Sequence, residues 1–336
     1  MIVPLVLLSA ALAVSAAPYQ EELIASVKEN AADLLLWEPG VNFHPDATPE
    51  DFTHLIGNYS IEPRLAAHKK KSNCEAVCYG HEDNKNVPET FDARKKWPQC
   101  ESIGKVQDQG DCKADYAIAT TAAIADRICI ASGGKKKTTI SAQHVVSCCK
   151  NCGRGCKGGI PQEVWSFLSR RGIASGGTYN SNEGCQPYLK EPTGFTPKKF
   201  YGAPAFQTPK CEKVCYNQQY SKSRVREDLH KGSNAGRLCC CSVKGEIVEK
   251  GSVTTSMLLF EDFLTYKSGI YHHVHGKRLG HIAVKVIGYG VENKTEYWLA
   301  VNSWSENWGD KGTFKILKHG NGCEFEDYLF AGDVQV

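Results

Sequence analysis

The sequence predicts an α+β fold in which helices gather in one part of the chain and an antiparallel sheet in another. Three observations carry that prediction. Residues 116–130 form an Ala- and Ile-rich run of compact side chains, suited to a helix buried on all sides. Two more helical segments follow, one capped by Ser141 and one opened by Pro161 and stopped at Gly172. From Ile282 onward the pattern changes to β-branched and alternating runs at 282–290, 296–304 and 313–320. These are parted by the turn residues Glu292-Asn293-Lys294 and Gly309-Asp310.

At the N-terminus, residues 2–14 are an apolar core ending in the small residues Val14-Ser15-Ala16, which reads as a secretory signal peptide over 1–16. Nothing later reaches about 18 uninterrupted apolar residues, so no membrane span is expected. Sixteen cysteines agree with an oxidising compartment, and the expected location is the secretory pathway, extracellular or lysosomal. Asn58-Tyr59-Ser60 and Asn293-Lys294-Thr295 are candidate glycosylation acceptors. Residues 21–37 place Leu23, Ile24, Val27, Ala31, Leu34 and Leu35 at helical spacing, and Pro39-Gly40 ends that helix. Residues 60–86, with Cys74 and Cys78, read as an exposed polar linker.

Across 336 residues, 41% hydrophobic and 23% charged, the composition is that of a globular protein with a sizeable core. A net charge of +3 is too small to argue for nucleic acid or a membrane surface as partner. The chain contains no internal repeat.

The stretch 107–127, QDQGDCKADYAIATTAAIADR, resembles the active-site segment of papain-family cysteine proteases, the cathepsin B-like members in particular. Residues 87–94, VPETFDAR, resemble the opening of the mature domain of that family, and 37–43, WEPGVNF, resemble an element of its propeptides. The resemblance implies a two-lobed papain-like fold, a helical lobe and an antiparallel β lobe flanking a cleft. It divides the chain into a signal peptide (1–16), a propeptide with linker (17–86) and a peptidase domain (87–336). Within that domain it implies a mainly helical lobe (87–180) and a mainly β lobe (181–336) with an occluding-loop-like insert (188–211). It further implies the pairs Cys100–Cys129, Cys112–Cys156, Cys148–Cys211, Cys149–Cys152 and Cys185–Cys215, leaving Cys74, Cys78, Cys239, Cys240, Cys241 and Cys323 open. It implies no cofactor and no metal, and a monomer.

Such an enzyme needs a thiolate paired with an imidazole, a group that orients the imidazole, and donors for the developing oxyanion. The resemblance puts Gln109 on the oxyanion position and Asn302 on the orienting position, with Trp304 and Trp308 as its aromatic shield. It puts Asp115 on the nucleophile and Ile282 on the histidine, both substituted. A carboxylate at a helix start suits the fold, where it can cap backbone N–H groups. It is a poor nucleophile, because attack on an amide would give an anhydride. His281 precedes Ile282; on a strand it should aim away from Asp115, and a local bulge would be needed to swing it back as a displaced base.

Of the groove, Gly158 and Gly159 match glycines that let a peptide backbone approach, and an ordinary tight turn explains them equally well. Lys113 puts a long cation where the family has glycine. Tyr328 stands where cathepsin B has the glutamate that favours basic side chains. The insert has no histidine, so the family's carboxylate-binding pair is absent, and His272-His273-Val274-His275 lies elsewhere. The reading is a catalytically inactive relative that binds peptides, cystatin-like inhibitors or propeptides. Weak or altered proteolysis and a purely structural extracellular role are the alternatives.

Overall fold

The computed structural model describes residues 18–31, 34–56, 87–193, 207–320 and 323–336. The expected signal peptide, Asn58, the linker with Cys74 and Cys78, and most of the insert at 188–211 lie outside these residues. Among the described residues no helix is long and apolar enough to cross a membrane.

The organising element is helix α2 (Asp115–Ala131), preceded in the chain by α1 (Tyr19–Ala31). Its alanines, isoleucines and threonines are small enough for it to be buried on nearly all sides. Helices α3 (Ala142–Cys148) and α4 (Pro161–Arg170) pack with it around Trp165, Val145 and Ile128. The Ser141 hydroxyl accepts the His144 N–H at 2.9 Å, the cap its sequence position announced. Pro161 opens α4, and Gly172 follows it with φ of 85°.

Nine strands make one connected sheet: β1 (Trp37–Pro39), β2 (Phe91–Asp92), β3 (Gly232–Arg237), β4 (Val253–Phe260), β5 (Tyr266–Tyr271), β6 (Arg278–Glu292), β7 (Thr295–Val301), β8 (Thr313–Leu317) and β9 (Phe330–Val334). Their order is β1-β5-β8-β7-β6-β4-β9-β3, with β2 joined to β6. One face of β6 packs on α2 through Ala283, while Ile282 and Val284 point into a second core with Trp304, Trp308 and Phe263. The 3.6 and 2.0 periodicities thus meet at the α2–β6 contact.

Buried charge crosses that contact. Lys285 Nζ lies 2.9 Å from Asp126 Oδ2 and donates to Ser102 O at 2.9 Å. Arg127 reaches Glu246 at 2.7 Å and the carbonyls of Ser252 and Gly332. Disulfides join Cys100–Cys129, Cys112–Cys156, Cys148–Cys211, Cys149–Cys152 and Cys185–Cys215. Cys239 is also disulfide-bonded, and Cys323 is a buried thiol.

Several expectations need correction. The N-terminal helix is described over Tyr19–Ala31, and Trp37–Pro39 is a strand paired antiparallel with β5 at the sheet edge, a position that tolerates Pro39, which has no N–H to donate. Leu34, assigned to the apolar stripe, is 78% exposed. The sheet is mixed, since β5 and β8 run parallel. A further helix, α5 (Cys240–Lys250), lies between β3 and β4. The two cores draw on distant parts of the chain: Phe91, Ala93, Cys100 and Ile103 belong to the sheet-side core, and Phe330 belongs to the helical one.

Candidate functional site

Asp115 is the first residue of α2 and is only 4% exposed. Its Oδ2 accepts the Ala283 backbone N–H at 2.7 Å, so the carboxyl ties the helix start to β6. Burial pushes its pKa up from 3.8 to about 7, against the pull of the Ala283, Tyr116 and Asp115 N–H groups and the Lys113 charge. Its role therefore extends beyond the helix start, where a cap for backbone N–H groups was expected. Its strongest bond spans the two halves of the molecule, and desolvation makes the site less comfortable for an anion than the helix dipole alone suggests.

Ile282 is buried in the sheet-side core opposite Met257 of β4. His281 lies on the other face of the strand, which is the face that Ala283 presents to α2. Strand alternation therefore puts His281 on the side of the helical core, near Tyr328. The ring is engaged there. Its Nε2 lies 3.9 Å from Glu324 Oε2, and its plane meets Tyr328 edge-on with centroids 6.3 Å apart. The partners of Asp115 are Ala283, Tyr116, its own N–H and Lys113, and the imidazole is not among them.

Gln109 and Asn302 each have definite partners. Gln109 is fully buried; its Oε1 accepts the Ser303 hydroxyl at 2.8 Å and its Nε2 donates to the His54 carbonyl at 2.9 Å. Asn302 Oδ1 accepts the Ser303 N–H at 2.8 Å, while its buried Nδ2 has no acceptor among the described residues. Trp304 and Trp308 pack edge-to-face at 5.1 Å behind it.

The N-terminal segment lies across these residues. Strand β1 extends the sheet, and Asn42 donates to the carbonyls of Leu264 and Tyr266 at 2.8 and 2.7 Å. Phe43 reaches Trp304, and the segment then places His54 over Gln109. Burial lowers the His54 pKa from 6.5 to about 4, with Asp51, Asp111 and Lys113 the nearby charges. No sequence signal marked His54, whose contact is a backbone carbonyl. Glu324 was also missed; its left-handed φ of 53°, rare for a non-glycine residue, is a feature of the folded chain alone.

The groove residues resolve into specific packing. Gly158 has φ of 99°, and a Cβ on Gly159 would lie 2.5 Å from the Tyr116 ring, so turn geometry and packing both demand glycine. Thr208 covers the same turn, its hydroxyl accepting the Cys156 N–H at 2.9 Å. Lys113 is half-buried beside Asp115, and burial lowers its pKa. Tyr328 is buried against the helical core. Among the described residues no group of three His, Cys, Asp or Glu side chains could hold a metal ion.

Comparison with known proteins places this geometry in context. Residues 87–332 match the family model described as "Papain family cysteine protease". The chain is 37% identical over 305 residues to a cathepsin B-like cysteine proteinase of Schistosoma japonicum, covering 87% of this chain and 88% of that one. It is 40% identical over 259 residues to cathepsin B-like cysteine proteinase 4 of Caenorhabditis elegans, covering 75% and 77%. Among solved structures, procathepsin B S9 of Trypanosoma congolense superimposes with a TM-score of 0.74 at 32% identity, over 95% of this chain and 99% of that one.

Proposed function

From the premise that the chain belongs to the papain family of cysteine proteases, as a cathepsin B-like member, we propose that it is a pseudoprotease. It holds peptide-like ligands, namely its own N-terminal segment, other propeptides or cystatin-like inhibitors, without cleaving them. The observation that carries the reading is Asp115, a carboxyl at the nucleophile position, buried and bonded to the Ala283 N–H. Ile282 supports it by putting an apolar side chain where a proton must be moved. Losing one member of such a catalytic unit costs on the order of a million-fold, about as much as losing all of it, so two losses leave no ordinary turnover.

Binding survives in this reading because the wall that meets a peptide is kept. Gln109 Nε2 still donates to a backbone carbonyl, that of His54. The relatives are named as proteinases; in this reading the chain keeps the family's frame and has lost its chemistry. The mature unit in this reading is 87–336, released from a signal peptide and propeptide in the secretory pathway, with an extracellular or lysosomal destination.

The test uses protein freed of its first 86 residues. Fluorogenic peptides should be left intact, while cystatin-type inhibitors and a synthetic copy of 34–56 bind at a single site and compete with one another. Cleavage abolished by Asp115→Ala would overturn the proposal. Intact peptides with no binding of either ligand would favour a structural role.

A further inference from the structure

The longest strand, β6, runs away from Ala283 and ends in a turn that the cleft does not use. Glu292 of β6 pairs with Thr295 of β7, leaving Asn293 and Lys294 as a two-residue hairpin loop. Both have left-handed backbone, φ of 50° and 66°, the geometry of a type I′ turn. Asparagine is well suited to the first position. Lysine is not suited to the second, where glycine relieves the strain of a positive φ. The turn therefore departs from its most stable sequence, and the residues present spell Asn-Lys-Thr, the acceptor pattern for an N-linked glycan with no proline in the middle.

Exposure fits that use. Glu292, Asn293 and Lys294 are all exposed, and Thr295 is half-buried at the start of the next strand. Among the described residues no hydrogen bond or ion pair engages the Asn293 amide, and the residue is exposed at the tip of the turn. Around it lie charged groups: Lys315 pairs with Glu292 and covers the Tyr297 ring. A polar rim of this kind lets a sugar lie over it without burying apolar surface. Disulfides throughout the fold need the same oxidising route in which such glycans are added.

We infer that Asn293 is an N-glycosylation site. The Asn293 Nδ2 bonds to the anomeric carbon of a lipid-diphosphate-linked oligosaccharide; the bond from that carbon to the diphosphate oxygen breaks, the lipid diphosphate leaves and the amide loses one proton. Nine residues of β6, 284–292, separate Asn293 from Ala283, about 30 Å at the rise of a strand, so the sugar stands at the far end of the sheet and leaves the cleft open. This assignment is independent of whether the cleft binds or cuts peptides.

The experiment expresses the full chain in animal cells as an Asn58→Gln variant, which removes the other acceptor, and maps the product after peptide N-glycosidase treatment. The expected result is a drop in mass with aspartate in place of asparagine at 293. Asn293→Gln abolishes the drop, Thr295→Ala abolishes it with Asn293 intact, and Thr295→Ser preserves it. An unmodified Asn293 in the purified product, whether exported or retained in the cytosol, overturns the assignment. So does a glycan at 293 that survives Thr295→Ala.

Discussion

Replacing Asp115 by asparagine isolates the cost of the buried carboxyl. The amide oxygen keeps an acceptor for the Ala283 N–H, so the change removes ionisation and little else. The folded state holds the Asp115 proton up to about pH 7, whereas the unfolded chain releases it near 3.8, because burial disfavours the anion. The folded state therefore binds more protons between those values. The stability that Asp115 contributes is fully present below about 3.8 and is lost as pH rises through 7. At ~1.4 kcal/mol for each tenfold change in proton affinity, the loss is about 4 kcal/mol. With the side chain so nearly sealed from water, solvent screening does not reduce it much. Urea unfolding of both proteins from pH 4 to pH 8 measures the difference directly. Asp115→Asn should gain about 4 kcal/mol on the parent protein across that range, most of it between pH 4 and pH 7. A difference that stays constant with pH would refute the argument, since Asp115 would then ionise as easily folded as unfolded.

Two further outcomes follow from other parts of the site. His54 is held neutral, so docking of the N-terminal segment should be at full strength above about pH 6.5 and weaken by about 3 kcal/mol as pH falls to 4. Hydrogen exchange of residues 34–56 at pH 7 and pH 4 reads this; equal protection in the parent protein and in His54→Gln at both values would contradict it. Lys285→Ala should destabilise by about 3–5 kcal/mol, since it leaves the Asp126 carboxylate buried without its cation. Thermal or urea unfolding checks it, and a loss below ~1 kcal/mol would mean that water replaces the ammonium.

Legibility in the sequence followed the range of the interactions. Helix α2 was readable because its whole signal lies in its own small apolar residues, and Ser141 and Pro161 announced helix starts through local bonds. The helix expected over 21–37 ran on into Trp37, the first residue of β1, because the strand's pairing with β5 comes from residues more than 200 positions away. Helix α5 was missed because a run of cysteines and a glycine masks its periodicity, and packing of Val243 and Ile247 on the sheet-side core supplies what propensity does not. The five disulfide partners came from family resemblance, as spacing alone does not choose among them. Asp115, Ile282, Gln109 and Asn302 could all be picked out in the sequence, but their present partners could not. Ala283 N–H, the Ser303 hydroxyl and the His54 carbonyl are set by the fold.

The central claim is tested most directly by turnover. Protein freed of its first 86 residues is incubated with dipeptidyl and longer fluorogenic peptides beside an Asp115→Cys/Ile282→His variant, in which Gln109 and Asn302 regain a nucleophile and a base to serve. The account predicts no cleavage by the natural sequence and measurable, thiol-blockable cleavage by the variant. Cleavage by the natural sequence that disappears with Asp115→Ala would contradict it.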